Sequence, residues 1–111
     1  MSTLNFDQFF QSLKDGIGSL AKQTLQDYLD QAKTDGEAAL DSMKENLQHW
    51  TAELTNGSIT AEDLSFLLKE EAALDELTAL KQAGLAEVRI DEFRDGIVGL
   101  VVGAVTNLVK V

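Results

Sequence analysis

Apolar side chains recur at intervals of three and four residues along the first half of the chain. They lie at Phe6, Phe9, Phe10, Leu13, Ile17, Leu20, Leu25, Leu29, Ala32, Leu40, Met43, Leu47, Trp50 and Leu54. Gln, Lys, Asp and Glu fill most of the positions between them. This spacing places the apolar side chains on one stripe of an α-helix. We therefore predict one continuous or kinked helix over about residues 5–55.

Two short sequences are candidate breaks in this helix. Gly16 and Gly18 lie close together, and each glycine costs a helix about 1 kcal/mol relative to alanine. Thr34 and Glu37 have the spacing of a capping box, in which the threonine begins a helix and the glutamate bonds back to it. A helix broken near Gly36 is therefore the alternative. We favour the continuous helix, because the apolar stripe extends beyond both places.

The strongest turn signal in the sequence is Asn56-Gly57. Gly57 suits the left-handed residue that follows a helix, and Thr60 has the type and position of a helix N-cap. We therefore predict a turn at 56–59, which ends the first helix and begins the next.

Apolar positions at helical spacing continue after this turn. The next stripe consists of Leu64, Leu67, Leu68, Leu74, Leu77 and Leu80. It predicts a helix over about 60–83, which Gly84 either ends or continues. A last helix is predicted over about 85–110, where apolar side chains occupy nearly every face. The valines of its final part also permit a strand there.

These elements predict an all-α fold in a single domain of residues 1–111. The favoured arrangement is a long antiparallel helical hairpin with arms about 75 Å long. Such a hairpin cannot enclose a core alone, so it would complete a four-helix bundle by self-association, most simply as a dimer. The alternative is a compact bundle of three or four shorter helices, broken near Gly36 and Gly84.

Glycines in the two halves of the chain mirror each other. The sequence Leu-Lys-Asp-Gly-Ile at 13–17 is echoed by Phe-Arg-Asp-Gly-Ile at 93–97. In the antiparallel hairpin Gly16 lies level with Gly99, so the two glycine patches meet.

The spacing of the later glycines predicts a groove. Gly96, Gly99 and Gly103 lie on one helix face, where small residues let a neighbouring backbone or large side chain approach closely. We predict that Phe9 and Phe10 pack over this groove or over its counterpart in a second chain. The residues predicted to take part in self-association are Phe9, Phe10, Ile17, Trp50, Gly96, Ile97, Gly99, Leu100, Val101 and Gly103.

The charge of the chain argues against two kinds of partner. The 111 residues include 19 acidic and nine basic side chains, for a net charge of −10. Such a surface is repelled by the phosphates of nucleic acids and by anionic membranes. We predict no nucleic-acid partner and favour a second copy of the chain, with a further protein partner left open.

The sequence offers no targeting signal that we recognise. Its N-terminal residues carry no basic region followed by a long apolar run, so we expect no secretory signal peptide. The longest apolar stretch, 97–109, is shorter than the roughly 20 residues that cross a membrane. We therefore expect a cytoplasmic protein.

No pattern typical of catalysis is present. There is no cysteine, no phosphate-binding loop, and no serine or threonine paired with histidine in a recognisable way. The only histidine, His49, forms a four-spaced row with Glu45 and Glu53 that could hold a metal ion. The di-iron bundle signature, Glu-x-x-His on two helices, does not occur, so a solvated polar face is favoured.

A second acidic row lies in the last helix. Glu87, Asp91 and Asp95 share one face, with Arg89 and Arg94 near enough to neutralise them. We therefore interpret it as a salt-bridged helix surface. We predict no catalytic, cofactor-binding or metal-binding residues.

Three functions follow as hypotheses. The favoured one is a non-catalytic interaction or scaffold protein that self-associates through its apolar stripes and its glycine-patterned last helix. The alternative is an amphipathic membrane- or lipid-binding protein that uses residues 97–109, which the net charge opposes. An enzyme or metal protein that uses His49 and the acidic rows is the least favoured.

Overall fold

The structure, a computed structural model, describes residues 6–109. Its elements are helices and turns, with no strand in this range. The helices are α1 (Phe6–Thr24), α2 (Leu29–Thr55), α3 (Ala61–Lys69), α4 (Thr78–Gln82) and α5 (Glu87–Val109), and short 3₁₀ turns lie at Gln26–Tyr28 and Ala72–Asp75. The all-α prediction is confirmed.

The predicted helix over 5–55 is interrupted, at a place that the sequence did not indicate. Leu25 leaves the helical conformation, with φ −134° and ψ 52°, and α2 begins after the following 3₁₀ turn. Leu25 is 2% exposed, and no side chain caps the start of the 3₁₀ turn or of α2. Burial of the apolar stripes of α1 and α2 against each other therefore outweighs continuation of a solvated helix.

The break folds α1 back along α2 as an antiparallel pair. Two ion pairs link their surfaces, Lys14 with Asp41 at 2.7 Å and Lys44 with Asp7 at 3.1 Å. The predicted break near Gly36 is wrong, because Gly36 lies inside α2 and is buried. Exposed ion pairs contribute little to stability, so packing of the stripes holds the pair together.

Local sequence signals located the turn after α2 correctly. Gly57 has a φ of +84°, the left-handed conformation in which glycine carries no Cβ penalty. Thr60 Oγ1 accepts from the Asp63 N–H at 3.1 Å, and Asp63 Oδ2 accepts from the Thr60 N–H at 3.0 Å. This reciprocal capping box fixes the start of α3.

The predicted helix over 60–83 is divided in two. The segment 70–77, which contains one 3₁₀ turn, separates α3 from α4. The leucines on the two sides of this gap face different helices. α3 packs mainly against α5, whereas the 3₁₀ turn and α4 pack mainly against α2. Gly84, with a φ of +86°, then ends the segment before α5 begins at Glu87. The last predicted helix is confirmed up to Val109, and its predicted end at residue 110 lies outside the described residues.

The helices form a bundle 45 Å long and 25 by 20 Å in cross-section. These dimensions exclude a hairpin with 75 Å arms and fit the alternative of a compact bundle, although the bundle has five α-helices within residues 6–109 instead of three or four and no break near Gly36. Its core is enclosed within one chain: Leu13, Ile17, Leu40, Leu80 and Phe93 are each at most 1% exposed. A second copy is not needed to cover this core.

Candidate interaction surface

Four of the residues predicted to mediate self-association lie inside the chain's own core. They are Phe10, Ile17, Ile97 and Val101, each 4% exposed or less. Their apolar character serves the folding of the single chain. A contact with another molecule would have to use the remaining predicted positions.

The mirrored glycines, Gly16 and Gly96, both lie at the contact between α1 and α5. A Cβ atom at Gly16 would lie 3.0 Å from Leu100 Cδ1, and a Cβ atom at Gly96 would lie 3.1 Å from Leu20 Cδ1. Each glycine thus receives a leucine of the other helix. The predicted partner of Gly16 was Gly99, one position away, so the register was nearly right although the hairpin was not.

The phenylalanines do not cover the predicted groove within this chain. The Phe6 ring lies 5.9 Å from the Phe9 ring and 6.0 Å from the Phe10 ring, measured between centroids. The ammonium groups of Lys14 and Lys44 lie 5.5 and 5.1 Å from the centroid of Phe10. Phe9 and Trp50 are half-buried at the rim of the core.

The outer face of α5 is the surface that these contacts leave open. We define it by the exposed residues Val88, Glu92, Asp95, Gly99 and Gly103. Val88 is 66% exposed, and a Cβ atom at Gly99 or Gly103 would have no atom of the described part of the chain within 4 Å. The first half of this face is acidic, and the second half belongs to the uncharged stretch 96–109.

Asp35 is the polar residue whose role sequence reasoning missed. It is 7% exposed, and its Oδ1 and Oδ2 accept hydrogen bonds from the backbone N–H groups of Ala79 and Leu80, at 3.0 and 2.8 Å. These groups belong to the first turn of α4, which a carboxylate stabilises as a cap. Asp35 therefore tethers α4 to α2. The available signal was an acid three residues from Ala32 and four from Ala39, on the buried stripe.

A shallow pocket of about 280 Å³ lies beside this contact. It is lined by Asp35, Ala38, Ala39, Ser42, Glu76 and Thr78. Both oxygens of Asp35 already bond to α4, and the Thr78 hydroxyl donates to the Glu76 carbonyl at 2.6 Å. We therefore interpret the pocket as the edge of the contact between Asp35 and α4, and not as a ligand site.

The residues considered for metal binding lie on the surface. Glu45, His49 and Glu53 are exposed on α2. Within residues 6–109 there is no group of three or more histidine, cysteine or acidic side chains placed to hold a metal ion.

The second acidic row has one of its two predicted neutralising partners. Arg94 contacts Asp91 at 3.3 Å and Asp75 at 2.9 Å. Arg89 instead donates to the Thr24 carbonyl at 3.3 Å. One arginine thus anchors the 3₁₀ turn to α5, and the other binds the C-terminal end of α1, where a cation is favourable.

Two further findings bear on function. None of the helices described here is long and apolar enough to cross a membrane. Among known proteins, no family model, no curated protein and no solved structure matches the chain significantly.

Proposed function

We propose that this protein is a non-catalytic helical interaction module that self-associates, as a dimer, through the outer face of α5. The observation that carries the proposal is the open space above Gly99 and Gly103. We also propose that the protein acts in the cytoplasm.

Glycine lowers the stability of a helix, so open space above a helical glycine needs an explanation. Each glycine in a helix interior costs about 1 kcal/mol relative to alanine. At Gly16, Gly36 and Gly96 a close side chain of another helix offsets that cost within the chain. At Gly99 and Gly103 no atom of residues 6–109 does so. A neighbouring molecule that approaches the backbone there would supply the missing contacts.

The distribution of charge favours a second copy as that neighbour. Two chains of net charge −10 repel each other, and burial of unpaired carboxylates adds a desolvation cost. The stretch 96–109 is free of charged residues, so a contact there buries no carboxylate and keeps the charged surfaces of the two chains apart. Gly99 and Gly103 are one helical turn apart, and half-buried Val102 lies at the edge of the face. A two-fold contact would place the same small, uncharged patch on both sides.

Leucine at both open glycines is expected to weaken this association about tenfold or more, because its side chain fills the space that a second backbone needs. The dissociation constant of the Gly99→Leu, Gly103→Leu variant can be measured by sedimentation equilibrium. The matched control is Ser19→Leu, an exposed position of α1 away from the outer face of α5. An unchanged constant in the double variant, or an equal loss in the control, would sink the proposal.

Lipid binding through residues 97–109 is the second candidate, and the absence of charge in this stretch is the observation that favours it. Glu92 and Asp95 lie on the same outer face and oppose approach to a membrane. We expect no co-flotation of the protein with vesicles of zwitterionic phosphatidylcholine. Co-flotation that a Val102→Glu substitution abolishes would replace self-association by lipid binding as the preferred function.

A further inference from the structure

The segment 71–85, which we call the strap, is built differently from the rest of the bundle. It consists of the 3₁₀ turn Ala72–Asp75 and the five-residue helix α4, joined without a longer helix. Isolated helices need about 12–15 residues to be even marginally stable in water. The strap therefore depends on contacts with the bundle for its structure.

Those contacts are few in kind and well defined. Four leucines of the strap, Leu74, Leu77, Leu80 and Leu85, are at most 8% exposed. The remaining anchors are polar: both carboxylate oxygens of Asp35 bond to α4, and Asp75 contacts Arg94 of α5. Asp75 is 62% exposed in its pair with Arg94, whereas Asp35 is buried and makes two hydrogen bonds, so Asp35 is the principal polar anchor.

The rest of the bundle has its own contacts, which do not pass through the strap. α1 packs directly on α2 and on α5, and α2 packs on α5. Near the end of the strap, the positive φ of Gly84 breaks the helical path before α5. Opening of the strap breaks its contacts with α2 and with α5, but none of the contacts between the three long helices.

We propose that the strap opens as a unit while α1, α2 and α5 stay folded, and that Asp35 is the latch that sets how often it opens. Opening exposes the four leucines and the surface of α2 beneath them. The protein thereby has a second apolar surface, distinct from the outer face of α5 and available only in the open state. Regions that open locally in this way exchange their amide protons faster than the core.

Hydrogen exchange on the full chain tests the proposal, with Asp35→Asn as the variant. The informative amides are those of Lys81, Ala83, Gly84 and Leu85, which bond within the strap and not to Asp35. Asparagine keeps one acceptor oxygen and has an NH2 group, which cannot accept a hydrogen bond, in place of the other. We expect this change to speed exchange of the strap amides about tenfold or more and to leave exchange of amides in the middle of α5 nearly unchanged. The control is Leu47→Val, a change to a buried residue of α2 twelve positions along the helix from Asp35, which should speed exchange throughout the long helices.

Equal acceleration of strap and core amides by Asp35→Asn, or no acceleration of either, would overturn the latch. If the Asp35→Asn variant does not fold, a second measurement on the unaltered protein tests the proposal. In the unaltered protein at low urea concentrations, exchange of the strap amides should depend on urea more weakly than exchange of the α5 amides, because opening exposes less surface than unfolding. A common urea dependence would contradict independent opening.

Discussion

Replacement of Asp35 by alanine is expected to lower the free energy of unfolding by about 2–4 kcal/mol, since each hydrogen bond to a charged group contributes roughly 1.5–3 kcal/mol. The loss has two parts. The carboxylate that caps α4 disappears, and the N–H groups of Ala79 and Leu80 are left without their acceptor in a partly buried and a buried position. A buried donor without a partner carries its full desolvation cost.

Urea denaturation followed by the fluorescence of the only tryptophan, Trp50, measures this loss. Glu45→Ala is the matched control, because Glu45 is an exposed acid on the same helix. Its substitution should change stability by no more than about 0.5 kcal/mol. Asp35→Asn, which keeps one acceptor oxygen, should fall between the two. Equal stability of the Asp35→Ala and Glu45→Ala variants would show that the contact with α4 contributes nothing.

Alanine at Gly36 is expected to destabilise the bundle by about 1–3 kcal/mol, although alanine is the better helix former. The added Cβ would lie 2.5 Å from Ile17 Cγ2 and 3.6 Å from Phe93 Cζ. Both neighbours are fully buried, and the clashing Ile17 atom is a methyl on a branched Cβ, so it cannot simply swing away. The helices would have to move apart at the point where α1, α2 and α5 meet.

Gly18→Ala is the control for this substitution. A Cβ there meets only Lys33 Cε, at an ordinary contact distance of 3.7 Å. Alanine at position 18 should therefore raise stability by about 0.5–1 kcal/mol through helix propensity. The opposite signs of the two changes can be read from urea midpoints at equal slope. Stabilisation by both alanines would contradict the close packing at Gly36.

Features encoded over a few residues could be predicted from the sequence. The left-handed glycine at Gly57 and the capping box of Thr60 and Asp63 follow from local backbone chemistry, whereas the sequence left open whether Gly84 ends a helix. The extent of α5 follows from a long periodic run of apolar residues. These elements define the all-α class without reference to distant contacts.

Features that depend on distant partners could not be predicted. The break at Leu25 carries no glycine, no proline and no N-capping side chain, and exists because two apolar stripes bury each other. The role of Asp35 depends on α4, which lies more than forty residues away in the chain. For the candidate surface, periodicity identified the apolar stripes, but only packing separates Gly99 and Gly103, which remain open, from Gly96, which Leu20 covers.

The mass of the protein in solution tests the central claim most directly. Light scattering on a sizing column, at two concentrations about a hundredfold apart, reports whether the chain of 12.1 kDa pairs. We predict twice that mass at the higher concentration, and a mass near that of the single chain for the Gly99→Leu, Gly103→Leu variant. A single-chain mass for the unaltered protein at both concentrations would contradict self-association through α5.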